Sequence, residues 1–204
     1  MTLWVVRHAQ PLVAPGICYG ALDMPAESDA TQTAAQALAR VLPKGAEVRV
    51  SVLQRCEQLA QQLRALRPDL TYKPESRLVE MHFGVYEGVA WADIPKAAVD
   101  AWTAYFWRHR FGGQESVAEM MGRVAQVWDN CLPAQAAGRV QVWITHAGVA
   151  RAASLLAQGV RYVPSAGLWP VAAPAFGQWV ELHPQRADSL DGTSPPGQEA
   201  VRSR

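Results

Sequence analysis

The chain has 204 residues, half of them hydrophobic, which is enough to fill a core and favours one domain. Nineteen Lys and Arg against eighteen Asp and Glu leave a formal charge of +1, so no whole-molecule field draws nucleic acid or an anionic membrane to it. Three widely spaced cysteines without a CxxC pair argue against a disulfide framework or a structural zinc site. No run of about 18 apolar residues is present to span a bilayer, so a reduced, cytoplasmic protein is expected.

Leu3-Trp4-Val5-Val6 is continuously apolar, as in a strand buried on both faces, and it stops at Arg7-His8. Pro11, Pro15, Gly16, Gly20 and Pro25 then mark a loop. Ala34, Ala37, Leu38, Val41 and Leu42 share one helical face, and Pro43 and Gly45 end that helix. Residues 47–50 form a second short strand. Ser51 can cap a helix whose apolar stripe is Leu53, Cys56, Leu59, Leu63 and Leu66. A weaker strand follows at 70–73.

From Val89 to Phe111 the chain is rich in Trp, Ala and aromatic residues, and Gly112-Gly113 breaks it. Ser116 and Glu119 have capping-box spacing ahead of a stripe of Met120, Val124, Val127, Trp128 and Cys131. Residues 140–144 read as a strand that stops at Thr145-His146, followed by a helix over 147–158. Residues 160–163 and 178–182 are expected to be edge strands. Strands alternating with helices predict an α/β fold: three layers, with a mostly parallel central sheet flanked by helices. Residues 1–183 are expected to form a single domain, and 184–204 a weakly packed C-terminal tail.

In such sheets ligands bind outside the carboxyl ends of the strands. Arg7-His8, Ser51 with Arg55, and Thr145-His146 are therefore expected along one sheet edge. Two arginine forks suit the oxygens of a phosphoryl dianion, and a neutral histidine beside them can attack phosphorus. A carboxylic acid is needed to protonate the leaving alkoxide. Taken singly, each of these residues could be structural or solvated; together at the strand ends they point to phosphoryl chemistry.

The same residues carry a family resemblance. Residues 3–9, ending Arg7-His8-Ala9, resemble the opening motif of the histidine phosphatase superfamily, also called phosphoglycerate mutase-like. Ser51 to Cys56, Leu78 to Gly88, Gly113 to Ser116 and Ile144 to Arg151 resemble its later motifs, in the family's order. The resemblance implies a phosphoglycerate mutase-like fold and a metal-independent phosphomonoesterase without a cofactor. It implies His8 as the nucleophile, with Arg7, Arg55, His146 and the Ala147 backbone N–H holding the phosphate. Glu80 would be the proton donor, and Glu87 a structural carboxylate. A mutase-type phosphotransferase and a non-catalytic phosphate-binding module are the alternatives. The loop from Pro11 to Pro25 is similar to that of α-ribazole phosphatases of cobalamin assembly.

The sequence departs from the family in places. Ala9 and Ala147 replace glycines, and Ala14 stands where many members have an asparagine, leaving Gln10 or Tyr19 to supply that contact. His82 either tunes Glu80 or is a bystander. Residues 89–113 are expected to form a lid. Within it Arg108 and Arg110 either meet the substrate or lie on the solvated face of an amphipathic helix. The partner implied is a small-molecule phosphate ester, with neither nucleic acid nor membrane, and a homodimer is compatible with the eight tryptophans.

Overall fold

The computed structural model describes residues 2–183, so the expected tail at 184–204 lies outside the described residues. The chain runs through β1 (Leu3–Arg7), α1 (Ser28–Val41), β2 (Glu47–Val50), α2 (Gln54–Leu66), β3 (Thr71–Pro74), α3 (Lys96–Ala104), α4 (Val117–Ala136), β4 (Gln141–Thr145), α5 (Ala147–Ala157) and β5 (Trp179–Leu182). The sheet order is β3-β2-β4-β1-β5, with the first four strands parallel and β5 antiparallel on the edge.

A strand with no polar face must be covered on both sides, and the alternation of β1 shows how. Leu3 and Val5 join a cluster with α4 and α5, while Trp4 and Val6 join one with α1 and α2. Trp143 of β4 is fully buried and meets Trp128 of α4 edge-on, with ring centroids 6.4 Å apart. The stripe from Met120 to Cys131 faces the same cluster, and Leu38, Leu59 and Leu63 fill the other. Each such side chain contributes roughly 1.5–3 kcal/mol on leaving water. The result is a three-layer α/β fold with a mostly parallel sheet. Among the described residues, no helix is long and apolar enough to cross a membrane.

Register fixes where the strands deliver their next residues. Val6 lies opposite Ile144, and Ile144 opposite Val50. The ladder then continues by one step, with His8 N–H donating to the Thr145 carbonyl at 3.0 Å and Ser51 N–H to the Ile144 carbonyl at 3.0 Å. The chains leaving β1, β2 and β4 thus start from one level of the same sheet edge.

Two sequence expectations change. Residues 160–163 form no strand: the Gly159 and Val160 amides turn back onto the Leu156 and Leu155 carbonyls and close the end of α5. Ser51 is not the cap of α2, which begins beyond Leu53 without a side-chain cap. The segment 89–113 contains one helix, α3, flanked by short 3-10 turns at Trp91–Asp93 and Phe111–Gly113. The Ser116–Glu119 capping box does form, with Ser116 N–H donating to the Glu119 carboxylate at 2.9 Å and Glu119 N–H to Ser116 Oγ at 3.3 Å.

Two loops are clasped through glycines. A Cβ on Gly84 would lie 1.9 Å from the Gly112 carbonyl oxygen, and one on Gly112 1.9 Å from that of Phe83. Both residues also hold positive φ, which side chains rarely adopt.

Candidate active site

His8 follows β1 directly and is buried. Its Nδ1 lies 2.7 Å from the Ala9 carbonyl, which can only accept, so Nδ1 carries the proton and Nε2 is left as the bare nitrogen. Burial, reinforced by the Arg55 and Arg7 charges, pushes its pKa down to about 3 and keeps the ring neutral. His146 follows β4 and is also buried, 5.1 Å from His8 between ring centroids. Its Nε2 lies 2.8 Å from Ser51 Oγ, so a neutral ring that accepts the Ser51 hydroxyl proton keeps an N–H at Nδ1. Burial, then Arg55 and His8, hold His146 well below the usual imidazole range.

The arginines are anchored by carbonyl oxygens. Arg55, fully buried on the first turn of α2, donates to Leu22 O at 2.8 Å and Gly20 O at 2.6 Å. Arg7 donates to Pro174 O at 3.1 Å, with its Cζ 3.8 Å above the Phe176 ring. The Tyr19 ring centre is 5.6 Å from the Arg55 Cζ. Arg151 of α5 donates to Val171 O at 3.1 Å.

Glu80 comes from the loop after β3. Its carboxylate accepts from Gly148 N–H at 2.8 Å and from Met81 N–H at 3.0 Å, so it caps the start of α5. The approach depends on Gly148, where a Cβ would lie 2.3 Å from Glu80 Oε1. Arg123 of α4 clamps the segment that carries Glu80, donating to the carbonyls of Arg77, Val79 and Glu80 while paired with Glu115 at 2.7 Å. Glu87 is structural: its carboxylate accepts from four backbone amides, those of Gly20, Ala21, Leu22 and Phe83.

Arg7, His8, Tyr19, Arg55, Glu80, His146 and Ala147 all line one cavity of about 300 Å³. Three guanidinium groups face it against the single carboxylate of Glu80, and both histidines are neutral. The balance is two positive charges, which a phosphomonoester dianion would neutralise. Arg7 Nε, Arg55 Nε, Arg151 Nε and His146 Nδ1 are buried without a protein partner. Such donors cost about 1–3 kcal/mol each when left unpaired, and these four belong to residues that line the cavity, which suits an anionic occupant. Among the described residues, no three His, Cys, Asp or Glu side chains cluster as metal ligands.

Four residues offered as possible substrate contacts lie elsewhere. Gln10 is not among the residues that line the cavity, whereas Tyr19 is; of the two stand-ins for the family's asparagine, only Tyr19 is at the cavity. His82 is half exposed, and its Nδ1 accepts from Gly84 N–H at 2.9 Å rather than touching Glu80. Arg108 is exposed, and Arg110 pairs with Glu119. Burial of Phe106 and Phe111 turns these two arginines outward, the arrangement of an amphipathic segment. Ile17, Phe83, Trp91 and Arg151 also line the cavity, and sequence reasoning does not single them out. Arg151 carries a usable signal, because it stands four residues beyond Ala147 on the same face of α5.

A family model described as the histidine phosphatase superfamily (branch 1) matches residues 3–171. Among solved structures, mycobacterial glucosyl-3-phosphoglycerate phosphatase shares the fold with a TM-score of 0.72 at 21% sequence identity, the match covering 88% of each chain. A protein of Thermus thermophilus is 26% identical over 89% of this chain and 92% of its own, with a TM-score of 0.65. No curated protein matches the sequence.

Proposed function

The chain belongs to the histidine phosphatase superfamily, branch 1, and from that premise we propose that it hydrolyses a small phosphate monoester, without a metal, through a phosphohistidine at His8. The observation that carries the reading is the pairing of a neutral His8, bare at Nε2, with Arg7, Arg55, Arg151 and His146 around one cavity.

The phosphoryl oxygens are held by Arg7, Arg55, the Nδ1–H of His146 and the Ala147 N–H at the start of α5. The His8 Nε2 lone pair forms the N–P bond as the P–O bond to the alcohol breaks in line. Glu80, which takes up the proton of the ester monoanion as it binds, delivers that proton to the departing alkoxide. Positive charge on the phosphorylated ring is accommodated by the Nδ1–H bond to Ala9 O. The Glu80 carboxylate then takes a proton from water as its oxygen attacks phosphorus. Phosphate leaves and His8 returns neutral, with little asked of the protein beyond positioning and charge neutralisation.

p-Nitrophenyl phosphate hydrolysis in EDTA, with His8→Ala beside the parent, tests this. Metal-chelated activity lost in the variant, with an acid-labile phosphoenzyme trapped only in the parent, is expected. Retained activity in His8→Ala would sink the assignment, and faster transfer to an added sugar or glycerate hydroxyl than to water would make the protein a phosphotransferase. The finer reading is α-ribazole 5′-phosphate as substrate, supported by the sequence of the loop from Pro11 to Pro25. A kcat/KM on that ester no higher than on p-nitrophenyl phosphate would remove it.

A further inference from the structure

A second cavity of about 140 Å³ adjoins the first, and Glu80, Phe83 and Arg151 line both. Its remaining side chains, Met81, Trp102, Phe106, Val117, Met120 and Trp169, are all apolar or aromatic. Phe106, Val117 and Met120 are core residues, at most 5% exposed. The aromatic wall is continuous: Trp102 lies 6.0 Å from Phe83 and 5.8 Å from Phe106, which in turn meets Trp169 edge-on at 6.0 Å.

The position of Glu80 gives this cavity its meaning. A group that protonates a leaving oxygen must lie within hydrogen-bond reach of it. The phosphorus lies on the His8 side of Glu80, so the carbon bonded to that oxygen lies on the other side, where the second cavity opens. Away from Glu80 and Arg151 the side chains offer a polyol no acceptor, at about tenfold or more in binding for each hydroxyl left unpaired. An apolar cavity of roughly 150 Å³ holds a benzene ring. We propose that this cavity is the leaving-group subsite and that it accepts a single aromatic ring carried on the alcohol. The inference rests on the phosphatase reading for the direction of the bond and is independent of the α-ribazole assignment.

Two measurements separate its failure from that of the reading beneath it. The first is kcat/KM for benzyl phosphate, ethyl phosphate and glycerol 3-phosphate, all esters of primary alcohols. The second is calorimetric binding of benzylphosphonate and methylphosphonate, which need no turnover. Benzyl is expected to exceed ethyl and glyceryl by about 10- to 100-fold in kcat/KM, and benzylphosphonate to bind tighter than methylphosphonate by a similar factor. Trp169→Ala, outside the helices and strands, is expected to pull both ratios toward one, and Trp169→Phe to restore most of each. Equal kcat/KM for benzyl and ethyl esters, or a glyceryl preference, overturns the subsite. Preferential benzylphosphonate binding without hydrolysis of any ester would show that the cavity takes an aromatic ring, but would overturn the phosphatase reading and with it the leaving-group role.

Discussion

The cradle around His8 and the wall of the adjoining cavity share Glu80, yet they are held by different forces. The cradle hangs from three parallel strands in register, and its histidines and Arg55 are almost fully buried. The wall is drawn from the loop after Glu80, from α3, from the first turn of α4 and from the turn around Trp169, and aromatic edges join these pieces. Backbone ladders fix the cradle to within a hydrogen-bond length, whereas side-chain contacts of a few tenths of a kcal/mol each shape the wall. Chemistry that tolerates little displacement sits on the ladders, and selection among leaving groups is left to contacts that substitution can change.

Variants can test how sharp that division is. His8→Ala, at the centre of the cradle, should lower turnover by on the order of 10⁴-fold or more with every substrate, because the nucleophile is gone. A steady-state assay across the ester panel reads this directly, and a loss that varied widely with the leaving group would blur the division. Gly148→Ala drives a Cβ against Glu80 Oε1, a contact of 2.3 Å as built, so the carboxylate must shift. A displacement of that kind costs about 100-fold in kcat. The loss should be smaller for p-nitrophenyl phosphate, whose leaving group needs no proton, than for ethyl phosphate; equal losses would mean that Glu80 does not protonate the alcohol.

Acid should attack the cradle through its histidines. Both have lowered pKa values, so the folded rings stay neutral while unfolded imidazole takes up a proton below about pH 6.5. Stability is therefore retained above that pH and falls as the pH drops below it, by about 1.4 kcal/mol per unit for each histidine until the folded pKa is reached. Urea midpoints at pH 7 and pH 4.5 check this, with His8→Gln expected to flatten the slope. The smallest effect belongs to the outer surface. Arg110→Ala removes an exposed pair with Glu119 and should change stability by about 0.2–1 kcal/mol, with kcat/KM for benzyl phosphate unaltered.

The same division explains what is readable in the sequence. An apolar run that stops at Arg7-His8 and another that stops at Thr145-His146 announce two parallel strands, and parallel strands carry their ends to one edge. That geometry puts Arg55, His146 and His8 together before any distance is known. Ser51 reads as a helix cap because its spacing to α2 is local, while its actual bond to His146 spans 95 residues. Phe83, Trp91 and Trp169 give no signal, since loop contacts between distant segments leave no periodicity. Arg108 and Arg110 stay open between substrate and solvent in the sequence, because their charge is visible and the burial of Phe106 and Phe111 beside them, which turns them to solvent, is not. Residues 160–163 have the β-branched composition of a strand, but their first amide already closes α5.

The Gly84–Gly112 clasp also limits how this protein can vary over generations. Any side chain at either position meets the other loop's backbone, so neither site can be reached by a single tolerated substitution. The stretch between them is fastened at both ends yet lined with replaceable aromatic residues. Inherited change in substrate range is then channelled into residues such as Trp91, Trp102 and Phe106, while insertions that would lengthen the wall must fall between two points that do not move.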